Sequence, residues 1–325
     1  MRRRDFSITL ITLAALSGAL LGLGQSAGAE ETIKVSAPQR GAWDTGVTEL
    51  GQRAGIFKKH GLVLEILYTS GSGETQQAVI SGAVDVGTAV GTMSAMSAFA
   101  KGAPIRIIGA ETTGGADYWY VSATSSIKKM KDTDGKTIAY STNGASTHGV
   151  VLAFIKELDL KARPVATGSP PSTLTQVMTG QVDVGWGSPP FGIKEIDDNK
   201  IRVLAFATDL PAVRGQSIRV LAANADALAK RRDALTRYLD AYRETLDYMY
   251  GDNPQVIKDY AEHAGLSLEV ARRTRDKFFA KALLDPDEIK GLEIMMREAI
   301  NLKFIAAPLT GDQLKELIQI PPRRK

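Results

Sequence analysis

The 325-residue sequence contains no cysteine and only three histidines. Without cysteine, the chain cannot form a disulfide framework, a Cys-ligated metal site, a thiol nucleophile or a lipid-modified cysteine anchor. His60, His148 and His263 show no metal-ligand spacing, and the sequence has no Walker loop, G-x-G-x-x-G, G-x-S-x-G or H-E-x-x-H motif. We therefore expect no catalytic site, no metal and no cofactor.

Aromatic residues and excess charge are also scarce. Phe, Trp and Tyr make up 6% of the chain, and the formal net charge is +4. Acidic and basic residues alternate along the sequence, and no basic stripe with interleaved aromatics is present, so nucleic-acid binding has little support. Loss of residues 1–29 would remove three arginines and one aspartate and lower the formal charge to +2.

The first residues have the pattern of a secretory signal peptide. Arg2–Arg4 form a basic start, Ile8–Leu23 is an apolar run with polar interruptions, and Ala27–Ala29 offers an A-x-A cleavage site. The alternative is an uncleaved membrane anchor, but the apolar run is short for a span. We predict a cleaved signal peptide at residues 1–29 and a mature protein in a bacterial periplasm.

The export route is left open by the same segment. Arg3–Phe6 resembles the centre of a twin-arginine signal, but Ser7 stands where that signal usually has leucine. The sequence therefore favours export without deciding between the twin-arginine and the general secretory route.

One short pattern occurs twice. Residues 81–87 read SGAVDVG and residues 179–185 read TGQVDVG, and each follows a Gly/Ser/Thr-rich loop, at 71–75 and 168–173. Each copy predicts a loop, a short helix, a glycine stop and a buried strand. Two copies indicate two similar α/β lobes with a cleft between them, and this arrangement suits binding of a small molecule.

Strand and helix patterns alternate along most of the chain, which predicts an α/β fold with mostly parallel sheets. From Asp226 onward the pattern is helical, and these helices are expected to pack on the first lobe. We predict lobe one at 30–124 and 217–325 and lobe two at 125–216. The predicted strands are 32–37, 62–68, 84–87, 105–109, 118–123, 137–140, 164–166, 182–185, 201–206 and 218–223.

Candidate binding residues follow from the rule that parallel sheets bind ligands beyond the carboxyl ends of their strands. Several candidates begin helices, where free N–H groups and the helix dipole favour an anion. The candidates are Gln39, Arg40, Trp43, Ser72, Gly73, Thr88, Ser141, Thr142, Asn143, Ser146, Thr147, Trp186 and Ser188.

Each kind of candidate has a structural alternative. Ser72 and Ser146 could simply cap their helices. Trp43 and Trp186 could be core residues, as aromatics usually are. Arg40 could be a solvated surface side chain rather than a bidentate anion ligand. Asp85 and Asp183, within the repeated pattern, are expected to hydrogen-bond at their strands rather than contact a ligand.

The order and spacing of several segments resemble the substrate-binding proteins of bacterial ABC importers. The resemblance is to the nitrate/sulfonate/taurine group, which also includes binders of pyrimidine precursors. It rests on Ala54–Leu62, Gly82–Gly87, Asp134–Tyr140 and Thr179–Pro190 and extends over nearly all of the mature chain. It implies the type II periplasmic binding fold, with two lobes closing on a ligand about hinge strands, here expected near 118–123 and 218–223.

The resemblance also implies a function. A monomer would capture a small anion, with aliphatic sulfonate, taurine or nitrate favoured, and would deliver it to an inner-membrane permease driven by an ATPase. Alternatives are a binder of a pyrimidine or other non-anionic solute, a sensor that serves no transporter, and a pyrimidine-synthase-like enzyme. The resemblance implies that such enzymes are cytosolic and use a Cys-rich motif. The absence of cysteine and the export signal therefore argue against this last alternative.

Overall fold

The computed structural model describes residues 30–324. The predicted signal peptide lies outside the described residues. Within 30–324, no helix combines the length and the apolar character needed to cross a bilayer. The strands of this part of the chain form one five-stranded sheet and, in the second lobe, a three-stranded and a two-stranded sheet that one isolated bridge joins into a second layer.

The first sheet has five strands in the order β2-β1-β3-β10-β4. Strand β1 is parallel to β2 and β3, whereas β10 runs antiparallel between β3 and β4. The strands are β1 Glu31–Pro38, β2 Leu62–Thr69, β3 Val86–Gly91, β4 Ile105–Thr113 and β10 Ser217–Asn224.

The second sheet repeats this order. Strands β6 and β7 are parallel, an isolated parallel bridge between Ile138 and Val184 extends them toward β8, and β5 lies antiparallel between β8 and β9. The resulting order is β7-β6-β8-β5-β9, which matches β2-β1-β3-β10-β4 strand for strand. The strands are β5 Tyr118–Ser122, β6 Thr137–Tyr140, β7 Arg163–Ala166, β8 Gly185–Gly187 and β9 Ile201–Phe206.

Side-chain hydrogen bonds show that the repeated pattern has the same role in both lobes. Asp85 accepts the backbone N–H of Lys34 at 2.9 Å, and Asp183 accepts that of Thr137 at 2.9 Å. Asp85 therefore links the start of β3 to β1, and Asp183 links the start of β8 to β6, as expected from the sequence. The hydroxyl pair Thr69–Thr75 at 2.7 Å likewise has its counterpart in a second threonine pair, Thr167–Thr173, at 2.6 Å.

Fourteen α-helices are present in residues 30–324, together with short 3-10 turns. They are α1 Val47–Arg53, α2 Ile56–Lys59, α3 Ser72–Ile80, α4 Thr92–Ala100, α5 Ser146–Glu157, α6 Pro170–Met178, α7 Ile193–Asp197, α8 Pro211–Arg214, α9 Ala225–Lys230, α10 Arg232–Met249, α11 Gln255–Ala264, α12 Leu268–Phe278, α13 Leu292–Asn301 and α14 Gly311–Leu317.

The C-terminal helices cover the first sheet, as the sequence predicts. Helix α10 buries Leu235, Tyr238, Leu239, Tyr242 and Leu246, which recur every three or four residues and so share one helix face. Each such side chain contributes about 1.5–3 kcal/mol when it leaves water, so this face anchors the helix to the core. Helices α3, α4 and α13 contribute to a second apolar cluster of the first lobe.

The predicted helix at 44–59 is interrupted in the structure. Gly55 has a φ of 73°, in the left-handed region, and separates α1 from α2. Glycine adopts this conformation without steric cost, so the chain turns there instead of continuing as one helix. The predicted helix from Asp226 to Tyr250 is likewise divided, at Arg231, into α9 and α10.

The connections between the sheets correct two sequence-based expectations. Strand β5 was assigned to lobe one, within 30–124, but it pairs with β8 and β9 of the second sheet. The chain crosses earlier, at 114–117, and returns through 207–216. The strands near 118–123 and 218–223 were expected as hinges, yet each is embedded in a sheet. Gly114 and Gly115, with φ of 77° and 73°, lie in the outward crossing.

Candidate functional site

Two helix N-termini meet at the boundary between the lobes. Helix α3 of the first lobe and α5 of the second bring together five of the predicted site residues: Ser72, Gly73, Thr142, Asn143 and Ser146. The N–H of Gly73 donates to Thr142 Oγ1 at 3.1 Å, and the N–H of Ser146 lies 3.4 Å from Ser72 Oγ. These hydrogen bonds join the lobes directly.

The approach is so close that residue 73 must be glycine. A Cβ on Gly73 would lie 2.3 Å from the carbonyl oxygen of Asn143, well inside van der Waals contact. No side-chain cap is formed at the start of α3 or α5. The hydroxyls of Ser72 and Ser146 therefore serve interlobe contacts rather than the capping role considered from the sequence.

Arg219 is the main residue that the sequence-based list missed. Its side chain is buried on β10, and its Nε donates to Ser146 Oγ at 3.1 Å. Nη1 donates to Asp44 at 2.7 Å and Nη2 to Asp117 at 2.5 Å. Asp117 ends the outward crossing, so one guanidinium links the first sheet, the crossing and the second lobe. The signal in the sequence was an arginine within the otherwise apolar strand pattern of residues 218–223.

The charge around Arg219 is mostly negative. Burial raises the pKa of Asp117, an effect that Arg219 partly offsets, and burial raises the pKa of nearby Glu111 well above its usual range. Burial would lower the pKa of Arg219, but Asp117 and Asp44 together raise it. Arg219 therefore stays charged and is committed to protein carboxylates.

Both predicted tryptophans are core residues. Trp43 is fully buried, donates from Nε1 to the Tyr250 hydroxyl at 2.9 Å and packs edge-on against Tyr260. Trp186 lies within β8 in the second core, and its Nε1 donates to Thr167 Oγ1 at 3.2 Å. Both residues therefore have the core role considered as the alternative. Trp186 lies inside β8 rather than after it, because the strand runs two residues further than the sequence indicated. Trp43 follows β1 as expected but is buried by aromatic partners from distant segments.

The other buried candidate residues contact neighbouring protein groups. Thr147 Oγ1 accepts the N–H of Ser141 at 3.1 Å and lies 2.9 Å from its hydroxyl, so this pair closes the loop before α5. Thr88 is buried within β3, with Oγ1 3.5 Å from the carbonyl of Ser36. Ser188 is buried after β8, beside Asp117.

A cavity of about 380 Å³ opens between the lobes beyond the ends of β1, β2, β7 and β8. We refer to it as the mouth cavity. It contains two predicted residues, Gln39 and Arg40, and the exposed Arg40 guanidinium lies 5.7 Å from the centre of the Tyr68 ring. Its lining is Gln39, Arg40, Tyr68, Thr69, Ser70, Glu74, Ser169, Pro170, Pro171 and Phe191.

A hydrogen bond to Glu49 holds the Tyr68 side chain in place. Its hydroxyl donates to Glu49 Oε2 at 3.1 Å, while Glu49 Oε1 accepts from Arg53 at 2.8 Å and lies 3.4 Å from His263 Nδ1. The buried His263 ring is the largest cause that lowers the pKa of Glu49 to about 2, with Arg53 and Tyr68 acting in the same direction and burial opposing them. Glu49 is thus a fixed negative charge that orients the aromatic wall of the mouth cavity.

Residues 30–324 contain no group of three or more His, Asp or Glu side chains placed to hold a metal ion. His148 stacks on Tyr140 with ring centres 4.2 Å apart, and burial lowers the pKa of His148.

Comparison with solved structures shows the fold. The alkanesulfonate-binding protein SsuA from Xanthomonas axonopodis pv. citri, solved with MOPS bound, is 17% identical, with a TM-score of 0.73 over 89% of this chain and 98% of that one. The periplasmic nitrate-binding protein NrtA from Synechocystis PCC 6803 is 11% identical, with a TM-score of 0.68 over 89% and 86%. The desulfurization enzyme DSZB is 15% identical, with a TM-score of 0.61 over 89% and 96%.

The fold is therefore that of the type II periplasmic binding proteins, as the sequence resemblance implied. A search among curated proteins finds no match. The family model described as NMT1/THI5 like matches residues 49–256. This range includes both copies of the repeated pattern, at 81–87 and 179–185, the N-termini of α3 and α5, and Arg219. The chain belongs to the NMT1/THI5-like family.

Proposed function

We propose that this protein is the solute-binding component of an ABC importer, exported to the periplasm, and that it captures a small organic anion between its two lobes. The observation that carries the proposal is the mouth cavity, which lies beyond the strand ends of both lobes. Its volume falls within the range of about 300–1,000 Å³ typical of small-molecule sites.

The lining of the mouth cavity favours a ligand with both an anionic and an apolar part. Arg40 and the hydroxyls of Ser70 and Ser169 offer donors for a sulfonate or carboxylate. Tyr68 and Phe191 offer apolar walls on opposite lobes. A bare inorganic anion such as nitrate would leave the apolar walls unused, so an organic sulfonate or carboxylate is the better match.

Closure would follow from the two-lobe architecture. A ligand bound between Arg40 of the first lobe and Phe191 of the second contacts both, and so favours the arrangement in which the lobes are together. The closed form would then be recognised by an inner-membrane permease and its ATPase. The alternative ligand class is a neutral pyrimidine, which would stack on Tyr68 without needing the charge of Arg40.

An enzyme is the second candidate, because the desulfurization enzyme DSZB has the same fold. A thiol mechanism is excluded by the absence of cysteine. Turnover of a sulfonate or sulfinate by the purified protein would support this candidate, whereas binding without turnover supports the importer component.

The test is a thermal-shift screen of the refolded mature chain, since a ligand that binds only the native state raises the melting temperature. The panel contains alkanesulfonates, taurine, aromatic carboxylates, nitrate and pyrimidines. We expect a shift with an organic anion that is lost in Arg40→Gln and kept in Arg163→Gln, an exposed control on β7. A shift with pyrimidines alone, unaffected by Arg40→Gln, would contradict the anion assignment.

A further inference from the structure

A second cavity between the lobes, of about 520 Å³, shares no lining residue with the mouth cavity. We refer to it as the lateral groove. It lies along α3 and α4 of the first lobe, and it is closed by the loop before α5 of the second lobe and by residues 302–304 after α13. Its lining includes Gln76, Lys101, Asn143, His148, Lys303 and Phe304.

Three separate parts of the chain fix the walls of the lateral groove. Ser97 of α4 donates to the carbonyl of Phe304 at 2.6 Å, which holds the loop after α13 against the first lobe. The His148 ring lies between Tyr140, at 4.2 Å, and Phe304, at 6.3 Å. The Tyr140 hydroxyl donates to Asn143 Oδ1 at 2.6 Å, so Asn143 is positioned at the rim. The groove is thus a built feature of the junction.

The charge of the lateral groove is positive. Lys101 and Lys303 line it, both are exposed, and neither makes an ion pair within residues 30–324. No Asp or Glu is among the lining residues of the groove in the described chain. Burial lowers the pKa of His148, so this ring adds no charge near neutral pH. Two uncompensated lysines facing one cavity favour a multivalent anion.

Gln76 gives an independent indication of a ligand. It lines the groove, its side chain is 6% exposed, and its Oε1 has no hydrogen-bond partner in residues 30–324. Buried carboxamide oxygens are nearly always hydrogen-bonded, and Oε1 is an acceptor, so a molecule that carries a hydroxyl donor would complete the bonding at this wall.

We propose that the lateral groove binds a compact multivalent oxyanion that also carries a hydroxyl, a hydrogen phosphate or a hydroxy-polycarboxylate, through Lys101 and Lys303. Gln76 Oε1 would accept from that hydroxyl, and the Asn143 amide N–H would donate to an oxyanion oxygen. The lysines and Gln76 belong to the first lobe and its C-terminal extension, whereas Asn143 belongs to the second. An oxyanion bound there contacts both lobes, so it favours closure. This coupling to solute capture rests on the proposed function, but oxyanion binding itself does not.

The test is isothermal titration of the mature chain with citrate and, separately, with inorganic phosphate, at constant ionic strength set with chloride. We expect at least one of them to bind, and binding to weaken about tenfold or more in Lys101→Gln/Lys303→Gln, which removes two charge-assisted contacts. The control Lys230→Gln/Lys258→Gln removes two exposed lysines outside the groove. Gln76→Leu is expected to weaken binding without lowering the melting temperature, because it removes a buried oxygen that has no partner in the free protein.

The outcomes separate the two proposals. Arg40→Gln should keep oxyanion binding while losing the organic anion, so failure of one site leaves the other testable. The citrate and phosphate arms identify the class of oxyanion. The proposal is overturned if neither binds, or if the control pair weakens binding as much as the groove pair does.

Discussion

Arg273 of α12 and Asp197 of α7 form a bidentate ion pair across the boundary between the lobes. Nη1 lies 2.9 Å from Oδ2, and Nη2 lies 2.8 Å from Oδ1. Helix α12 belongs to the C-terminal helices on the first lobe, and α7 follows β8 of the second lobe. The pair therefore holds the lobes together on a surface separate from the helix N-termini of α3 and α5.

Removing this pair should favour the open form. We expect Arg273→Gln and Asp197→Asn each to increase the ligand dissociation rate by a few-fold, with little effect on unfolding, because exposed pairs contribute modestly. Stopped-flow dissociation at low and high salt would measure this. The salt dependence should be weaker in the variants than in the wild type, since salt screens this pair. Equal salt dependence in both would contradict a role in closure.

Removing Arg219 should be costly for stability. Arg219→Gln leaves Asp44 and Asp117 buried without their cation, and loss of one partner from such a pair typically costs about 3–5 kcal/mol. Urea unfolding at neutral pH would measure the free energy change. Arg237→Gln, which removes a partly exposed pair with Glu31, is the control and should cost much less. An unchanged urea midpoint for Arg219→Gln would show that the network does not stabilise the fold.

A side chain at position 73 should keep the lobes apart. Gly73→Ala places a Cβ 2.3 Å from the Asn143 carbonyl, so the closed contact cannot form, while α3 itself tolerates alanine well. We expect weaker ligand binding with nearly unchanged thermal stability. With ligand present, small-angle scattering should show a larger radius of gyration for Gly73→Ala than for the wild type. Gly311→Ala, where a Cβ meets no atom within 4 Å, is the matched control and should bind normally.

Glu49 should contribute to stability in a pH-dependent way. Its pKa is lowered from 4.5 to about 2 in the folded protein, so its stabilising effect is present above about pH 4.5 and is lost as the pH falls toward 2. The upper bound is about 3–4 kcal/mol, from 1.36 kcal/mol per pKa unit, and solvent screening of the half-buried carboxylate lowers the real contribution below it. We expect the difference in unfolding free energy between pH 7 and pH 3 to be smaller in Glu49→Gln than in the wild type. An identical difference would contradict this assignment.

Most of the fold was predictable from the sequence because both repeats carry the same local signals. Strands 137–140 and 201–206 were placed at their observed bounds, and the helical C-terminal region packs on the first lobe as expected. The error at β5 has a physical origin. A strand that follows another strand without a helix can pair with either sheet, and only the tertiary structure decides which.

The candidate site was less predictable. Arg40, Ser72 and Ser146 lie at the boundary between the lobes, as predicted, because residues after parallel strands converge at one edge. Trp43 was misplaced because burial of a loop aromatic depends on Tyr250 and Tyr260, more than 200 residues away. Arg219 was missed because its position in an apolar strand pattern marks it as unusual, but its role depends on Asp44, Asp117 and Ser146 in other segments.

The position of β10 between β3 and β4 has a consequence for the order in which the protein can fold. Strands β5 to β9 are contiguous in sequence, so every strand of the second lobe has been synthesised by residue 206. The first lobe begins earlier but finishes later, because its inner strand spans Ser217–Asn224. Until then the β3 and β4 edges stay unpaired, and such edges promote aggregation. A chain that ends before residue 217 should therefore aggregate, whereas an excised second lobe need not.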